Sequence, residues 1–208
     1  MPSIYELKSR FQALLRPATR RLAARGVTAN QVTIIAALLS IGVGALLACF
    51  PASRAVLILV PVVLFVRMAL NAIDGMLARE HGMKSRLGAV LNELGDVISD
   101  AGLYLPLALV PGVPTALVVC VVVLGIIGEM AGVVAVQIGC ERRYDGPFGK
   151  SDRAFAFGAI ALLHGCNVKP GRWLSIVLGV MVALSVVTIF NRSRRALQTG
   201  ADLGPGNS

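Results

Sequence analysis

Six apolar segments separated by short polar connections constrain this 208-residue sequence more than any other feature. Most of them reach the about 17–25 residues that an α-helix needs to cross the hydrocarbon core of a bilayer, although the fifth is short. The segments cover residues 29–50, 55–79, 86–110, 114–139, 153–165 and 173–190. They predict an all-α integral membrane protein with six transmembrane helices.

The overall composition agrees with a membrane protein. Only 15% of the residues are charged and the mean hydropathy is +0.76, whereas soluble domains carry about 25% charged residues. The four cysteines are scattered along the chain without a C-x-x-C pair. We therefore interpret them as packing residues and not as a metal site or a disulfide framework.

The net charge of +9 is distributed in a way that predicts membrane orientation and argues against a nucleic-acid partner. With the N-terminus inside, sixteen of the 20 Lys and Arg residues fall on the cytoplasmic side, and only Arg54, Lys169 and Arg172 fall on the other. This asymmetry follows the positive-inside rule. We expect a protein of a bacterial inner membrane with both termini in the cytoplasm, where its basic residues attract anionic lipid headgroups.

Three regions follow from these patterns. Residues 1–27 form an amphipathic basic segment on the cytoplasmic face, residues 28–190 the six-helix transmembrane domain, and residues 191–208 a polar, disordered cytoplasmic tail. The first region predicts a helix that lies in the membrane interface and is broken near Pro17, with a solvated basic arm as the alternative. Its apolar face consists of Ile4, Leu7, Phe11, Leu14 and Leu15.

Ionisable residues inside the predicted spans carry the functional signal. Each costs about 2.5–3.5 kcal/mol at the centre of a helix in lipid, so a lipid-facing arrangement of all of them would cost as much as the stability of a whole domain. We expect them to face one another, water or a ligand; simple pairing that holds helices together is the structural alternative. The six residues are Arg67, Asp74, Glu93, Asp96, Asp100 and Glu129.

The spacing of these residues predicts two facing polar stripes. The second span carries Arg67, Asn71 and Asp74 on one helical face, and the third span carries polar residues every four positions. A connection of about six residues makes the two spans antiparallel neighbours. Residues at equal depth then form three pairs: Asp74 with Asn92, Asn71 with Asp96, and Arg67 with Asp100.

The first two pairs bring four oxygen-bearing side chains together, which is the ligand type that Mg²⁺ prefers. Gly75 and Gly88 lie beside them, and the missing Cβ atoms allow a ligand to approach closely. Arg79 supplies positive charge suited to phosphate groups. We interpret the third pair as a buried ion pair in which Glu129 competes for Arg67.

Residues 71–96 resemble the signature of the CDP-alcohol phosphotransferase family, D-x2-D-G-x2-A-R-x8-G-x3-D-x3-D. Six of its eight fixed positions match with the correct spacing, and Asn replaces Asp at the first and third acidic positions. The sequence reads Asn71-x2-Asp74-Gly75-x2-Ala78-Arg79-x8-Gly88-x3-Asn92-x3-Asp96.

The resemblance implies an enzyme of phospholipid biosynthesis that transfers a substituted phosphate, such as phosphatidyl from CDP-diacylglycerol, to the hydroxyl of a polar alcohol and releases CMP. It implies Mg²⁺ or Mn²⁺ as the cofactor, a CDP-linked lipid donor and a polar alcohol as substrates, and an active site open to the cytoplasm. It also implies a homodimer, which the small-residue pattern Gly128-x3-Gly132 favours.

The resemblance further implies a role for individual residues. Asp96 would be the catalytic base and also a metal ligand. The other implied metal ligands are Asp74, Asn71 and Asn92, and the implied CDP-pocket residues are Gly75, Ala78, Arg79 and Gly88. Accessory candidates are Asp100, Arg67, Arg142 and Arg143.

The two Asn residues depart from the family pattern. Asn71 and Asn92 still offer carbonyl oxygens to a cation, but they remove two negative charges. We therefore expect weaker metal binding, with one tightly held ion where the family holds two; neither Asp100 nor Glu93 is a clean replacement. A non-catalytic CDP-lipid-binding homologue and a small-solute membrane carrier are the alternatives. No motif identifies the alcohol.

Overall fold

The computed structural model describes residues 4–202, with side chains described for residues 10–199, and the described chain is helical. The helices are connected by short turns, apart from one irregular loop at residues 138–149. The elements are α1 (Ile4–Ala24), α2 (Ala29–Cys49), α3 (Arg54–Glu80), α4 (Arg86–Tyr104), a 3₁₀ turn (Leu105–Leu109), α5 (Thr115–Gln137), α6 (Lys150–Gly165) and α7 (Arg172–Asp202).

Four of these helices are long and apolar enough to cross a membrane, namely α2, α3, α5 and α7. Many of their large apolar side chains point outward, such as Phe65, Ile176 and Phe190, each about 60% exposed. An apolar surface of this size marks contact with lipid or with another protein, and on four helices of membrane-spanning length it identifies an integral membrane protein. Helix α4 carries several charged residues and α6 has 16 residues. The prediction of six spans therefore stays a prediction, as does the interfacial position of α1.

Local sequence signals explain where the helices begin and end. Thr28 caps α2 by accepting a hydrogen bond from the Gln31 amide, and the Gln31 side chain accepts one from the Thr28 amide. Ser85 caps α4 by accepting from the Gly88 amide at 2.9 Å. Pro106 cannot continue a helical hydrogen-bond ladder, so α4 gives way to the 3₁₀ turn within the apolar segment predicted to end at residue 110.

Helix α2 packs against both α3 and α4, whereas α3 and α4 do not pack closely on each other. The prediction that the second and third spans are direct neighbours is therefore wrong. The crossing of α2 and α4 is tight because Gly44 lies against the backbone of Gly102. Helix α2 lies between α3 and α4. The space between these two helices forms a cleft, and α2 is its floor.

Polar and apolar packing occupy opposite halves of the bundle. The largest buried apolar cluster includes Leu47, Val60, Leu103 and Leu178, and it lies toward the turns at residues 50–53, 105–114 and 166–171. The buried charged side chains lie toward the other half, which also holds the ends of α3 and α7 and the loop at residues 138–149. We call this half the basic end, and the cleft opens there.

Helix α1 passes through Pro17 without a break, contrary to the prediction. A single proline removes one backbone hydrogen bond, and side chains on both sides of α1 hold the helix against α3. Arg16 donates two hydrogen bonds to the Glu80 carboxylate, at 2.9 and 3.2 Å. Phe11 meets the ring of Phe65 edge to face. The side chains of Ile4 and Leu7 lie outside the described ones.

Helix α7 continues to Asp202, so the predicted disorder from residue 191 is wrong for residues 191–202. Two arginines anchor this extension: Arg192 donates to the Gly128 carbonyl at 2.5 Å, and Arg195 binds Asp145 at 2.7 Å. Residues 203–208 lie outside the described ones. Gly128 and Gly132 are buried against α7 and the following loop, so their spacing serves packing within the chain, and the homodimer stays a prediction from the family resemblance.

The tight crossing of α2 and α4 can be tested with two neighbouring glycines. A Cβ on Gly44 would overlap the Gly102 carbonyl oxygen, whereas a Cβ on Gly42 would meet nothing within 4 Å. We expect Gly44→Ala to lower the free energy of unfolding by about 1–3 kcal/mol, the usual cost of overpacking, and the matched control Gly42→Ala to leave it unchanged or slightly raised. Unfolding of the purified protein in detergent measures both, and equal stability of the two variants would contradict the crossing.

Candidate active site

The cleft at the basic end contains the polar residues of α3 and α4. Asp74 is buried at its base, where its Oδ2 accepts a hydrogen bond of 2.8 Å from the Thr33 hydroxyl of α2. Thr33 therefore fixes the Asp74 carboxylate from the floor of the cleft. The predicted partner, Asn92, has a partly buried side chain and forms no hydrogen bond to another described residue. The predicted pair Asp74–Asn92 is thus not joined by a hydrogen bond.

The other two predicted pairs are in contact. The Asn71 amide donates to Asp96 Oδ1 at 3.4 Å, and Arg67 donates to Asp100 Oδ1 at 2.5 Å. Arg67 also donates to the backbone carbonyl of Asp96 at 3.1 Å. The long Arg67 side chain spans the space between α3 and α4, whereas the short side chains of Asn71 and Asp96 meet directly. The predicted register of these two pairs is confirmed even though the helices are not packed neighbours.

The signature residues predicted to form the CDP pocket line the rim of the same cleft. The Arg79 guanidinium lies over Gly75, since a Cβ there would come 2.9 Å from Arg79 Nη2. Gly88 faces Asn30 at the start of α2, because a Cβ there would come 2.7 Å from Asn30 Oδ1. Ala78 is partly buried one turn after Asp74. At both glycines the space that a Cβ would take is therefore filled by polar side chains of the site.

Asp96 has an unexpected cationic environment. Its Oδ1 forms an ion pair with Lys150 Nζ from the start of α6, and Arg67 Nη2 lies 3.5 Å from the same oxygen. The Asn71 amide reaches this oxygen as well. Three donors thus converge on one oxygen of Asp96, and the other oxygen accepts no hydrogen bond from another described residue.

A continuous network of ion pairs extends from the cleft into the bundle. Asp100 binds Arg67 of α3 and lies 3.5 Å from Arg153 of α6, and Arg153 donates to Glu129 of α5 at 2.9 Å. Glu129 also lies 3.5 Å from Arg192 of α7. The prediction that Glu129 competes for Arg67 is wrong, because Arg153 separates them and satisfies both acids.

The two arginines of the polar loop have different positions. Arg142 forms ion pairs with Glu93 and, at 3.2 Å, with Glu129, so it belongs to the network beside the cleft. Arg143 points away from the cleft and donates to the Arg195 carbonyl at the end of α7. The structure thus brings Arg142 near the predicted site and leaves Arg143 outside it.

Several residues of the site carry too little signal in the sequence to be recognised. Lys150 and Arg153 open α6 and stand out in the sequence only as basic loop charges. Thr33 belongs to the capping sequence "TANQVT", which indicates only the start of a helix. Arg192 falls in the predicted tail, although an arginine near the end of a long helix can still reach the core of the bundle.

A groove of about 620 Å³ between α3 and α6 joins the cleft. Its polar end is formed by Arg67, Asn71, Asp100 and Lys150, and its remaining length by apolar side chains. Phe65 and Phe155, which line it, are 61% and 79% exposed, so the groove opens on the outer surface of the bundle. Its apolar lining consists of Pro61, Leu64, Phe65, Met68, Ala154, Phe155, Gly158, Ala159 and Leu162.

The donor set of the cleft fits a single hard divalent cation. Within the described residues, no three carboxylate, imidazole or thiolate side chains converge on one point. The Asn71 amide contacts Asp96, and Asn92 lies one helical turn before Asp96 on α4. Mg²⁺ is commonly held by one or two carboxylates together with substrate phosphates. Two carboxylates, one of them already paired with Lys150, do not provide the charge for two such ions.

Comparison with known proteins gives one family. The sequence profile of CDP-alcohol phosphatidyltransferases matches residues 26–190. Inner membrane protein YnbA of Escherichia coli is 43% identical over 201 residues, which cover 97% of this chain and 100% of that protein. Archaetidylinositol phosphate synthase of Pyrococcus horikoshii is 38% identical over 90 residues, which cover 43% of this chain and 45% of that protein.

Solved structures share the fold. The phosphatidylinositol phosphate synthase of Mycobacterium tuberculosis with CDP-DAG bound superimposes with a TM-score of 0.73 at 23% identity, covering 86% of this chain and 92% of that chain. The same synthase in complex with manganese and citrate gives a TM-score of 0.72, covering 87% and 88%. At 23% sequence identity, this similarity shows a shared fold.

The buried pair Arg67–Asp100 can be compared with the exposed pair Arg16–Glu80 by double-mutant cycles. Removing one partner of a buried ion pair leaves an uncompensated charge and costs about 3–5 kcal/mol. We therefore expect Arg67→Met and Asp100→Asn each to lower the free energy of unfolding strongly, with a coupling energy of about 1–3 kcal/mol in the double variant. The cycle on Arg16→Ala and Glu80→Ala should show little coupling, because solvent screens that pair. Additive effects at Arg67 and Asp100 would contradict the network.

Proposed function

The chain belongs to the CDP-alcohol phosphatidyltransferase family, and we propose that it transfers a phosphatidyl group from CDP-diacylglycerol to the hydroxyl of a polar alcohol and releases CMP. One observation carries this proposal: a cleft with two carboxylates lies at the polar end of an apolar groove that opens on the lipid-facing surface. A lipid with a charged diphosphate headgroup has this same division between polar and apolar parts.

The diphosphate of the donor occupies the cleft in this proposal. Gly75 and Gly88 leave room for it, and Arg79 lies at the rim to bind phosphate oxygens or the cytidine side. Asp74 and Asp96, with the amide oxygens of Asn71 and Asn92, are the residues that would hold Mg²⁺ or Mn²⁺. When bound, the cation neutralises charge that develops on the diphosphate and on the departing CMP. The mycobacterial synthase that shares this fold has been solved in complex with manganese, which supports testing Mn²⁺.

Asp96 is the proposed base. Lys150, Arg67 and Asn71 contact its Oδ1 and hold the carboxylate in place, so Oδ2 is available to accept the proton of the acceptor hydroxyl. The hydroxyl oxygen forms a bond to the phosphatidyl phosphorus while the bond from that phosphorus to the CMP oxygen breaks. In-line transfer of this kind depends mainly on positioning and on electrostatic stabilisation.

The groove between α3 and α6 is proposed to hold acyl chains of the donor. Its apolar residues continue directly from Arg67, Asn71 and Lys150, so one lipid molecule can lie with its headgroup in the cleft and its tails against Leu64 and Leu162. The basic end is then the cytoplasmic end, where water-soluble alcohol and CMP enter and leave. This orientation agrees with the sequence prediction from the positive-inside rule.

A non-catalytic protein that binds CDP-lipids is the second candidate, and the amides at Asn71 and Asn92 favour it. They leave two carboxylates in the cleft, and one of these is paired with a lysine. Both candidates need the same cleft and the same groove. Only the transferase would release CMP, so a measurement of CMP release distinguishes the two candidates.

The catalytic proposal is tested by CMP release from purified protein in nanodiscs, supplied with CDP-diacylglycerol, Mg²⁺ or Mn²⁺, and a panel of polar alcohols. The names of two relatives make inositol phosphate the first alcohol to test. We expect Asp96→Asn to lower the rate about 100-fold or more, because it removes the base. Asp145→Asn, which changes an aspartate of the loop outside the cleft, is the matched control and should keep wild-type activity.

The wild-type protein itself provides the decisive outcome. If no CDP donor releases CMP although the protein is folded and binds CDP, the chain is a binder and the catalytic proposal is wrong. In that case Asn71→Asp together with Asn92→Asp should create turnover, since they restore the family's carboxylates.

The groove can be blocked without touching the cleft. Ala159 lines the groove on α6, and a phenylalanine there would fill space that the acyl chains need. We expect Ala159→Phe to raise KM for the lipid donor about tenfold, comparable to an overpacking cost of about 1–3 kcal/mol, with unchanged binding of free CDP. Val180→Phe, on the exposed face of α7, is the control and should change neither. Unchanged KM in Ala159→Phe would place the lipid elsewhere.

A further inference from the structure

Lys150 reaches the cleft from α6, and nothing in the sequence signature marks it. It is the first residue of α6, whose start is fixed by a hydrogen bond of 2.8 Å from the Gly149 amide to Asp152 Oδ2. From there its side chain reaches the Asp96 carboxylate of α4 and lines the polar end of the groove. It remains 29% exposed, so its ammonium group is accessible from the cleft.

Lys150 places a fixed positive charge on one of the two carboxylates of the cleft. It forms an ion pair with Asp96 Oδ1. The ammonium group therefore neutralises charge that a cation held by Asp96 would otherwise neutralise. The three hydrogens of an ammonium group can be shared between a carboxylate and a phosphate oxygen.

The charges of the cleft and its network balance. Among the described residues, five carboxylates stand against five cationic side chains, and Arg79 at the rim adds one further positive charge. The acids are Asp74, Glu93, Asp96, Asp100 and Glu129, and the cations are Arg67, Arg142, Lys150, Arg153 and Arg192.

This balance limits the number of metal ions. The diphosphate of a CDP-linked lipid carries two negative charges, and one divalent cation neutralises them. A second divalent cation would leave two uncompensated positive charges in a partly buried site, which is strongly unfavourable. Aspartates at positions 71 and 92 would add negative charge, but these positions are Asn. Even with aspartates there, the ammonium group of Lys150 would still lie on the Asp96 oxygen that a second ion would need.

We propose that Lys150 takes the place of a second metal ion in this cleft, so that the protein binds one divalent cation and Lys150 contacts the diphosphate of the CDP-linked ligand directly. The proposal rests on the proposed function in one respect, the binding of a CDP-linked ligand in the cleft, and it does not depend on turnover. The two amides and the lysine compensate for each other in charge. Asn71 and Asn92 lack two carboxylate charges, and the ammonium group of Lys150 replaces a metal ion that would otherwise bind.

Metal stoichiometry tests the first part without any turnover. The number of Mn²⁺ ions per chain is measured by electron paramagnetic resonance titration of the purified protein in detergent with saturating CDP, which supplies the diphosphate charge. We expect one Mn²⁺ for the wild type and one for the Asn71→Asp/Asn92→Asp double variant, in which Lys150 still occupies the position. The triple variant that adds Lys150→Met should bind two. Two ions in the wild type, or no additional ion in the triple variant, would overturn the proposal.

Binding of free CDP in the presence of Mn²⁺ tests the contact with the diphosphate. Loss of one charge-assisted hydrogen bond is expected to weaken CDP binding about tenfold in Lys150→Met, measured by isothermal titration calorimetry. Lys150→Arg retains the charge and should stay within about threefold of the wild type. Lys84→Met is the matched control, because it removes an exposed lysine of the turn before α4 at the same end of the bundle.

The outcomes separate the two proposals. Equal CDP affinity in Lys150→Met and the wild type would overturn the diphosphate contact, provided that thermal unfolding shows both to be folded. Wild-type protein that releases no CMP, but gives the expected Mn²⁺ and CDP results, would overturn the catalytic function and support the role of Lys150.

Discussion

Charged side chains inside an apolar bundle must find partners, and this requirement shapes the basic half of the molecule. Asp100, Glu129 and Arg153 are each less than 10% exposed, and each is held by residues of other helices. Because an unpaired charge in this environment costs several kcal/mol, the network fixes the relative positions of α3 to α7. The apolar cluster in the other half contains most of the buried apolar residues among those described, and the ion pairs select one arrangement of the helix ends.

The cleft exists because α2 separates α3 from α4. Two directly packed helices would bury their polar stripes against each other and leave no room for a ligand. Here α2 contributes its own polar residues, Asn30 and Thr33, to the floor, and long side chains span the gap above it. Glycines at the tight crossings, such as Gly44 on α2 and Gly158 on α6, let the surrounding helices approach closely while the cleft stays open.

The polar cleft and the apolar groove form one continuous surface. The proposed reaction site is therefore open to the lipid-facing side of the bundle. Lys150 and Arg67 stand at the junction, where a lipid headgroup would pass into the region of its tails. A soluble ligand could use the cleft alone, but a groove that opens among exposed apolar side chains suits a substrate that already resides in the bilayer. Membership of a family of CDP-alcohol phosphatidyltransferases is consistent with this division of the surface.

The sequence by itself determined the membrane class, the bounds of most helices, and the pairs Arg67–Asp100 and Asn71–Asp96, because apolar length and helical periodicity are local properties of the chain. The sequence also identified the signature residues, because all of them lie within one stretch of 26 residues. Only the tertiary structure decided that α2 lies between α3 and α4, that Thr33 holds Asp74, and that Lys150 and Arg153 reach the site from α6. These contacts join residues 24 to 54 positions apart, and their formation depends on how whole helices pack, which no local pattern encodes.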